Sequence, residues 1–79
     1  MRVEEITKRY NAIRNNMEIC RDPAGALDVN TRLYERAITN SLFREHYIKW
    51  LKEPNKYDVF DMLNDDEFQY RDALNRAVR

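Results

Sequence analysis

The stretch SLFREHYIKWLK, Ser41 to Lys52, sets Leu42, Phe43, Tyr47, Ile48, Trp50 and Leu51 into twelve residues without a glycine or proline. Such a run reads as helix. A helix on a small core shows it one apolar stripe, yet at about 100° per residue these side chains point in more than one direction. Ile48 and Leu51 continue a face begun by Leu33 and Ala37, with Tyr34, Ile38 and Leu42 spreading it to one side. Phe43 and Trp50 lie well away from that face, and Tyr47 bridges the two. Whether this aromatic strip is core or surface decides how the bundle closes.

Outward from this stretch, the sequence predicts a continuous helix over about 29–52, with Asp28 or Asn30 as its cap. Pro54 ends it, since proline cannot continue a helix and biases Glu53 towards an extended shape. Before it, "RDPAGALDVN" breaks the chain at Pro23 and Gly25, and Ala26 and Leu27 fold over the end of the core. A first helix over about 2–21 carries Val3, Ile6, Tyr10, Ile13, Met17 and Cys20 at alternating spacings of three and four, one narrow seam. Arg14 and Arg21 flank it, where their methylene stems can cover apolar surface. A third helix over about 58–78 places Val59, Phe60, Leu63, Tyr70, Ala73, Leu74, Ala77 and Val78 on one broad face, which favours a continuous helix kinked near Asn64; a capping box of Asn64 and Glu67 would instead split it into a short helix and a longer one. The expected fold is all-α: a single domain, residues 1–79, forming a small antiparallel three-helix bundle with short connections.

Charge sets limits on function. Fourteen basic and fourteen acidic side chains cancel, so nothing draws the whole chain to nucleic acid or an anionic membrane. Residues 1–52 hold ten basic against seven acidic, and residues 53–79 four against seven. The acidic excess sits in "DVFDMLNDDEF", Asp58 to Phe68. No stretch has the length of a membrane span, and the start, "MRVEEITKRY", carries acids where a secretion signal needs an apolar run. A cytoplasmic protein is expected.

Catalytic and cofactor motifs fail on residue count. One histidine and one cysteine exclude a Cys/His zinc site within one subunit. Asp58, Asp61, Asp65 and Asp66 lack the spacing and central glycine of a calcium loop, and there is no phosphate-binding glycine loop or nucleophile elbow. His46, beside Arg44, Glu45 and Lys49, reads as solvated, and Cys20 as a small hydrophobe. No enzyme and no cofactor are expected.

Two surfaces remain as candidate binding sites. The first is the strip Phe43, Tyr47 and Trp50 with Arg36 and Asn40 beside it, residue types that concentrate binding energy at protein interfaces; the competing reading places those rings in the core. The second is the acidic–aromatic stretch with Asp61, Asp65, Asp66 and Phe68, which also reads as helix-capping acids around core residues. The leading expectation is a non-enzymatic protein-binding module, a regulator, adaptor or inhibitor that masks a partner surface. Two alternatives stand beside it: a nucleic-acid-binding regulator using Arg32, Arg36, Arg44, Lys49 and Lys52, and a structural homodimer or assembly subunit.

Overall fold

The computed structural model describes residues 2–17, 21–54, 56–57, 59 and 69–78. Among these, the chain is all-helical and has four helices: α1 Val3–Asn15, α2 Pro23–Thr39, α3 Ser41–Lys52 and α4 Arg71–Val78. The expected central helix is therefore two helices, and the three-helix bundle is corrected accordingly.

The break falls at Asn40, whose backbone is extended (φ −128°, ψ 114°). Its side-chain oxygen accepts from the Leu42 and Phe43 amides at 3.0 and 3.1 Å. An asparagine that offers helix N–H groups a local acceptor favours a new helix start over continuation. From the other side, Arg44 Nε donates to the Ala37 carbonyl at 2.8 Å and its Nη2 to Ile38 at 2.9 Å. Those carbonyls belong to the last turn of α2, where no further helical N–H reaches them. The corner is thus capped from both directions within one residue of link. Asn40→Ala is expected to lower stability by about 1 kcal/mol, read as a drop in urea midpoint; an unchanged midpoint would mean that Arg44 alone holds the corner.

This corner re-phases the chain. α2 turns Ala26, Val29, Asn30, Leu33 and Ala37 inward, and α3 turns Phe43, Tyr47, Trp50 and Leu51 inward. Each helix has one inward stripe, and they lie on different sides of what a single rod would have been. Leu42, expected near the core face, is instead 73% exposed.

α2 also starts earlier than expected. Asp22 is its N-cap and Pro23 its first residue, the position where proline's missing N–H and fixed φ suit a helix. Asn30 is no cap: it is fully buried in mid-helix. α1 keeps the seam inward through Ile6 and Ile13, and Met17 just past its end is buried too, with Tyr10 half-buried and Val3 exposed. The helix stops at Asn15, short of the expected 21, and Cys20 lies outside the described residues. On the C-terminal side the expected continuous helix over 58–78 is corrected: Val59 lies in a bend, Gln69 and Tyr70 in a turn, and the described helix begins at Arg71. Val59, Leu74 and Ala77 are nonetheless buried, with Tyr70 and Val78 packed against the core. The expected kink and capping box at Asn64 and Glu67 lie outside the described residues.

α1 and α2 run antiparallel, since Thr7 meets Tyr34 and Tyr10 meets Thr31 through side-chain hydrogen bonds of 2.7 and 2.8 Å. The Tyr10 and Tyr34 rings stack with centroids 4.3 Å apart. Helix α4 packs on α1 and α2, tied by Asn16 Nδ2 donating to the Ala77 carbonyl at 3.1 Å. The radius of gyration is 11.3 Å, close to the roughly 11.6 Å expected of a compact chain of this length. No helix among the described residues is long and apolar enough to cross a membrane.

Candidate functional site

The aromatic strip is not a surface. Trp50 and Tyr47 have no exposed area and Phe43 retains 7%. The rings pack in series, Phe43 to Tyr47 at 6.4 Å and Tyr47 to Trp50 at 5.6 Å between centroids. Trp50 Nε1 donates to Asn75 Oδ1 of α4 at 2.6 Å, so its polar edge is used within the bundle. Of the two residues expected to flank the strip, Arg36 is half-buried on α2, and Asn40 spends its side chain on capping α3. The expectation that these five side chains form an exposed docking site is therefore corrected. The turn at Asn40 rotates the rings into the core. Asp61, Asp65, Asp66 and Phe68 lie outside the described residues.

The basic side chains considered for nucleic acid are largely engaged elsewhere. Arg32 pairs with Asp28 at 3.0 Å, Arg44 caps α2, and Lys49 lies 5.9 Å from the Tyr57 ring centroid. An open hollow of about 600 Å³ beside Arg9, Lys52 and Lys56 has the same character. There Arg9 donates to the Leu51 carbonyl at 2.7 Å and Lys56 faces Glu53 at 3.8 Å, as cations at a helix C-terminus commonly do.

A second concavity, of about 420 Å³, lies where the end of α1, the start of α2 and α4 meet. Its floor is Met17, Tyr70 and Ala73; its rim is Asn16, Arg21, Asp22, Gln69, Asp72 and Arg76. Met17 is buried, Tyr70 and Ala73 are half-buried, and all six rim residues are exposed. An apolar floor inside a hydrated polar rim is the anatomy of a small interface pocket.

Local sequence chemistry builds this cleft. Asp22 accepts the Gly25 amide on Oδ1 at 3.2 Å, capping α2, and the Tyr70 hydroxyl on Oδ2 at 2.6 Å. The Tyr70 hydrogen bond first, and the Gly25 amide second, hold the Asp22 carboxyl below the usual aspartate value. Gly25 is the chain's only glycine, and the ring of Tyr70 lies where a Cβ on residue 25 would stand. Glycine here admits a side chain from 45 positions away.

The chain has no match among family models, curated proteins or solved structures.

The lining of the cleft carries two arginines and two aspartates. Asp22 accepts from Gly25 and Tyr70, and the exposed Asp72 lies 3.6 Å from Arg71 Nε. Arg21 and Arg76 make no hydrogen bond or ion pair among the described residues. No group of three or more His, Cys, Asp or Glu side chains among the described residues could hold a metal ion.

Among the described residues, the buried Asn30 Oδ1 and Tyr47 hydroxyl stand without a hydrogen-bond partner. Asn30 Nδ2 reaches the Tyr10 carbonyl at 3.4 Å, long for an N–H···O bond. Neither atom lines the cleft.

The sequence signals for the cleft were present but dispersed. In the sequence Arg21 flanks the first seam, Met17 belongs to it and Gly25 breaks the chain. None pointed to Arg76 or to the pairing of Tyr70 with Asp22.

Proposed function

We propose that this chain is a small non-enzymatic protein-binding module that seats a side chain of a partner in the cleft between α1, α2 and α4. One observation carries the reading: Met17, Tyr70 and Ala73 form an apolar floor ringed by six exposed polar residues where α1, α2 and α4 meet. The cleft is wide enough for one large side chain. Its open rim leaves room for the chain bearing that side chain to run outside. Arginine and tyrosine supply the charge and contact area that concentrate binding energy. The aromatic strip has no part in this mechanism.

Ala73→Trp fills the cleft while leaving every rim charge in place, and Gln69→Trp does so from the exposed rim should the first variant melt early. In affinity capture from the native cell, a protein retained by the wild type and by a distal Glu45→Ala control, but lost from the filled variants, supports the proposal. Equal retention by all of them sinks it.

A further inference from the structure

We infer that the hollow at the C-terminal end of α3 is a second contact surface, separate from the cleft, and that it takes an acidic segment of a partner protein. Its lining selects an anion. Arg9, Lys52 and Lys56 stand there against Glu53, an excess of two positive charges in a chain whose total is zero. The helix end does not consume that excess. The carbonyl terminus of a helix is equivalent to about half a negative charge, and Arg9 meets it through one bond of 2.7 Å from Nη2 to the Leu51 carbonyl. Among the described residues the other guanidinium donors of Arg9 have no hydrogen bond or ion pair, and Lys52 has none at all. Lys56 lies 3.8 Å from Glu53 with both side chains more than half exposed, a pair that contributes little in water. Glu5 and Glu45, the acids preceding these cations on α1 and α3, are exposed and make no ion pair among the described residues.

The neighbouring ring decides between a protein and a nucleic acid. Tyr57 is the exposed aromatic beside these lysines, and a single strand of nucleic acid would need its face as a platform for a base. Lys49 and Lys56 already lie over that ring, 5.9 and 5.6 Å from its centroid. The chain also has no net charge to draw a phosphate backbone from a distance. Carboxylates on a peptide need neither. They meet the uncommitted donors of Arg9 and Lys52 directly. Pro54 and Val78, half-buried at the edge of the hollow, offer apolar surface to the methylenes that carry them.

Acetylated and amidated tetraglutamate is the probe, followed through the backbone amide resonances of residues 9, 51, 52, 53 and 56. The neutral tetraglutamine peptide and an oligothymidylate of equal charge are the comparisons. Saturable shifts with tetraglutamate are expected at millimolar concentration, and none with tetraglutamine. An exposed ion pair is worth up to about fivefold in affinity, so Lys52→Gln combined with Lys56→Gln should weaken binding by about tenfold. Both lysines are exposed, and this variant should melt close to the wild type. Gln69→Trp, which fills the cleft from its rim, should leave the binding unchanged.

Equal binding of the two peptides, tighter binding of the oligothymidylate, or indifference to the double lysine substitution overturns the inference. So does an absence of saturable shifts. Loss of the tetraglutamate shifts in Gln69→Trp overturns it too, by assigning the acidic ligand to the cleft. The two proposals fail separately, since the peptide titration reads the hollow and the filled variants read the cleft.

Discussion

Trp50→Ala is expected to lower the stability of the fold by about 3–5 kcal/mol, the largest loss of any substitution considered. The ring has no exposed surface, packs on Tyr47 and donates its N–H to Asn75, so it joins α3 to both the core and α4. Truncating a buried aromatic to alanine costs about 3–5 kcal/mol, from lost transfer energy and the cavity left behind. At the usual 0.05–0.15 kcal/mol per residue, a chain of this length has about 4–12 kcal/mol in all. The loss consumes a large part of that sum, and in a small bundle few neighbours can move in to fill the space.

Trp50→Phe should fall between the two, since it keeps a ring and loses the bond to Asn75. The measurement is the far-ultraviolet circular dichroism melt of each variant. Wild-type emission from this single tryptophan should also be shielded from acrylamide. A Trp50→Ala protein melting within a few degrees of the wild type, with ready quenching in the wild type, would place the ring outside the core.

That outcome is the reverse of what the helical wheel of one long rod implies, and Asn40 is the reason. The wheel places Leu33 and Leu51 together and strands Phe43 and Trp50, because it assumes continuous phase across residue 40. Asparagine between Thr39 and Ser41 is a cap signal, but in a run so apolar it is outweighed by the regular recurrence of large side chains. Local hydrogen bonds to Asn40 and Arg44 decide the matter instead. A turn lasting one residue then moves three aromatic rings from apparent surplus into the core.

Elsewhere the period-3.6 signal was sufficient. Ile6 and Ile13 on α1, Met17 just beyond it, and Leu74 and Ala77 on α4 lie inward as their spacing predicts, because burying one stripe is what stabilises a short helix. Pro23 shows the opposite limit. Proline reads as a stop to a helix coming from its N-terminal side, yet here its ring opens α2. The cleft was not legible, for a different reason. Its residues come from positions 16–22 and 69–76, and no periodicity relates segments some fifty residues apart. Only the lone glycine carried a trace of it. Its role depends on Tyr70, which sequence spacing alone does not bring near.

Tyr47 should give the bundle a steep alkaline limit. Burial pushes its ionisation well above the ordinary tyrosine value, Tyr10 and Tyr34 push the same way, and Arg9 pulls weakly against them. The unfolded chain releases this proton near pH 10 while the folded chain retains it. The contribution of Tyr47 is therefore fully present below about pH 10. It is lost as pH climbs from there through the folded-state value, at up to about 1.4 kcal/mol for each pH unit.

The hydroxyl also stands buried without a partner, which costs about 1–3 kcal/mol relative to a solvated group. Tyr47→Phe removes both liabilities while keeping the ring that packs between Phe43 and Trp50. The variant should be more stable by about 1 kcal/mol at neutral pH, and its advantage should widen above pH 10. Urea midpoints of the two proteins, followed from pH 7 to 11.5, test this directly. Other groups contribute equally to both curves, so their separation reports Tyr47 alone. Curves that run parallel through the alkaline range, or a less stable Tyr47→Phe at neutral pH, would show that the hydroxyl is satisfied in solution.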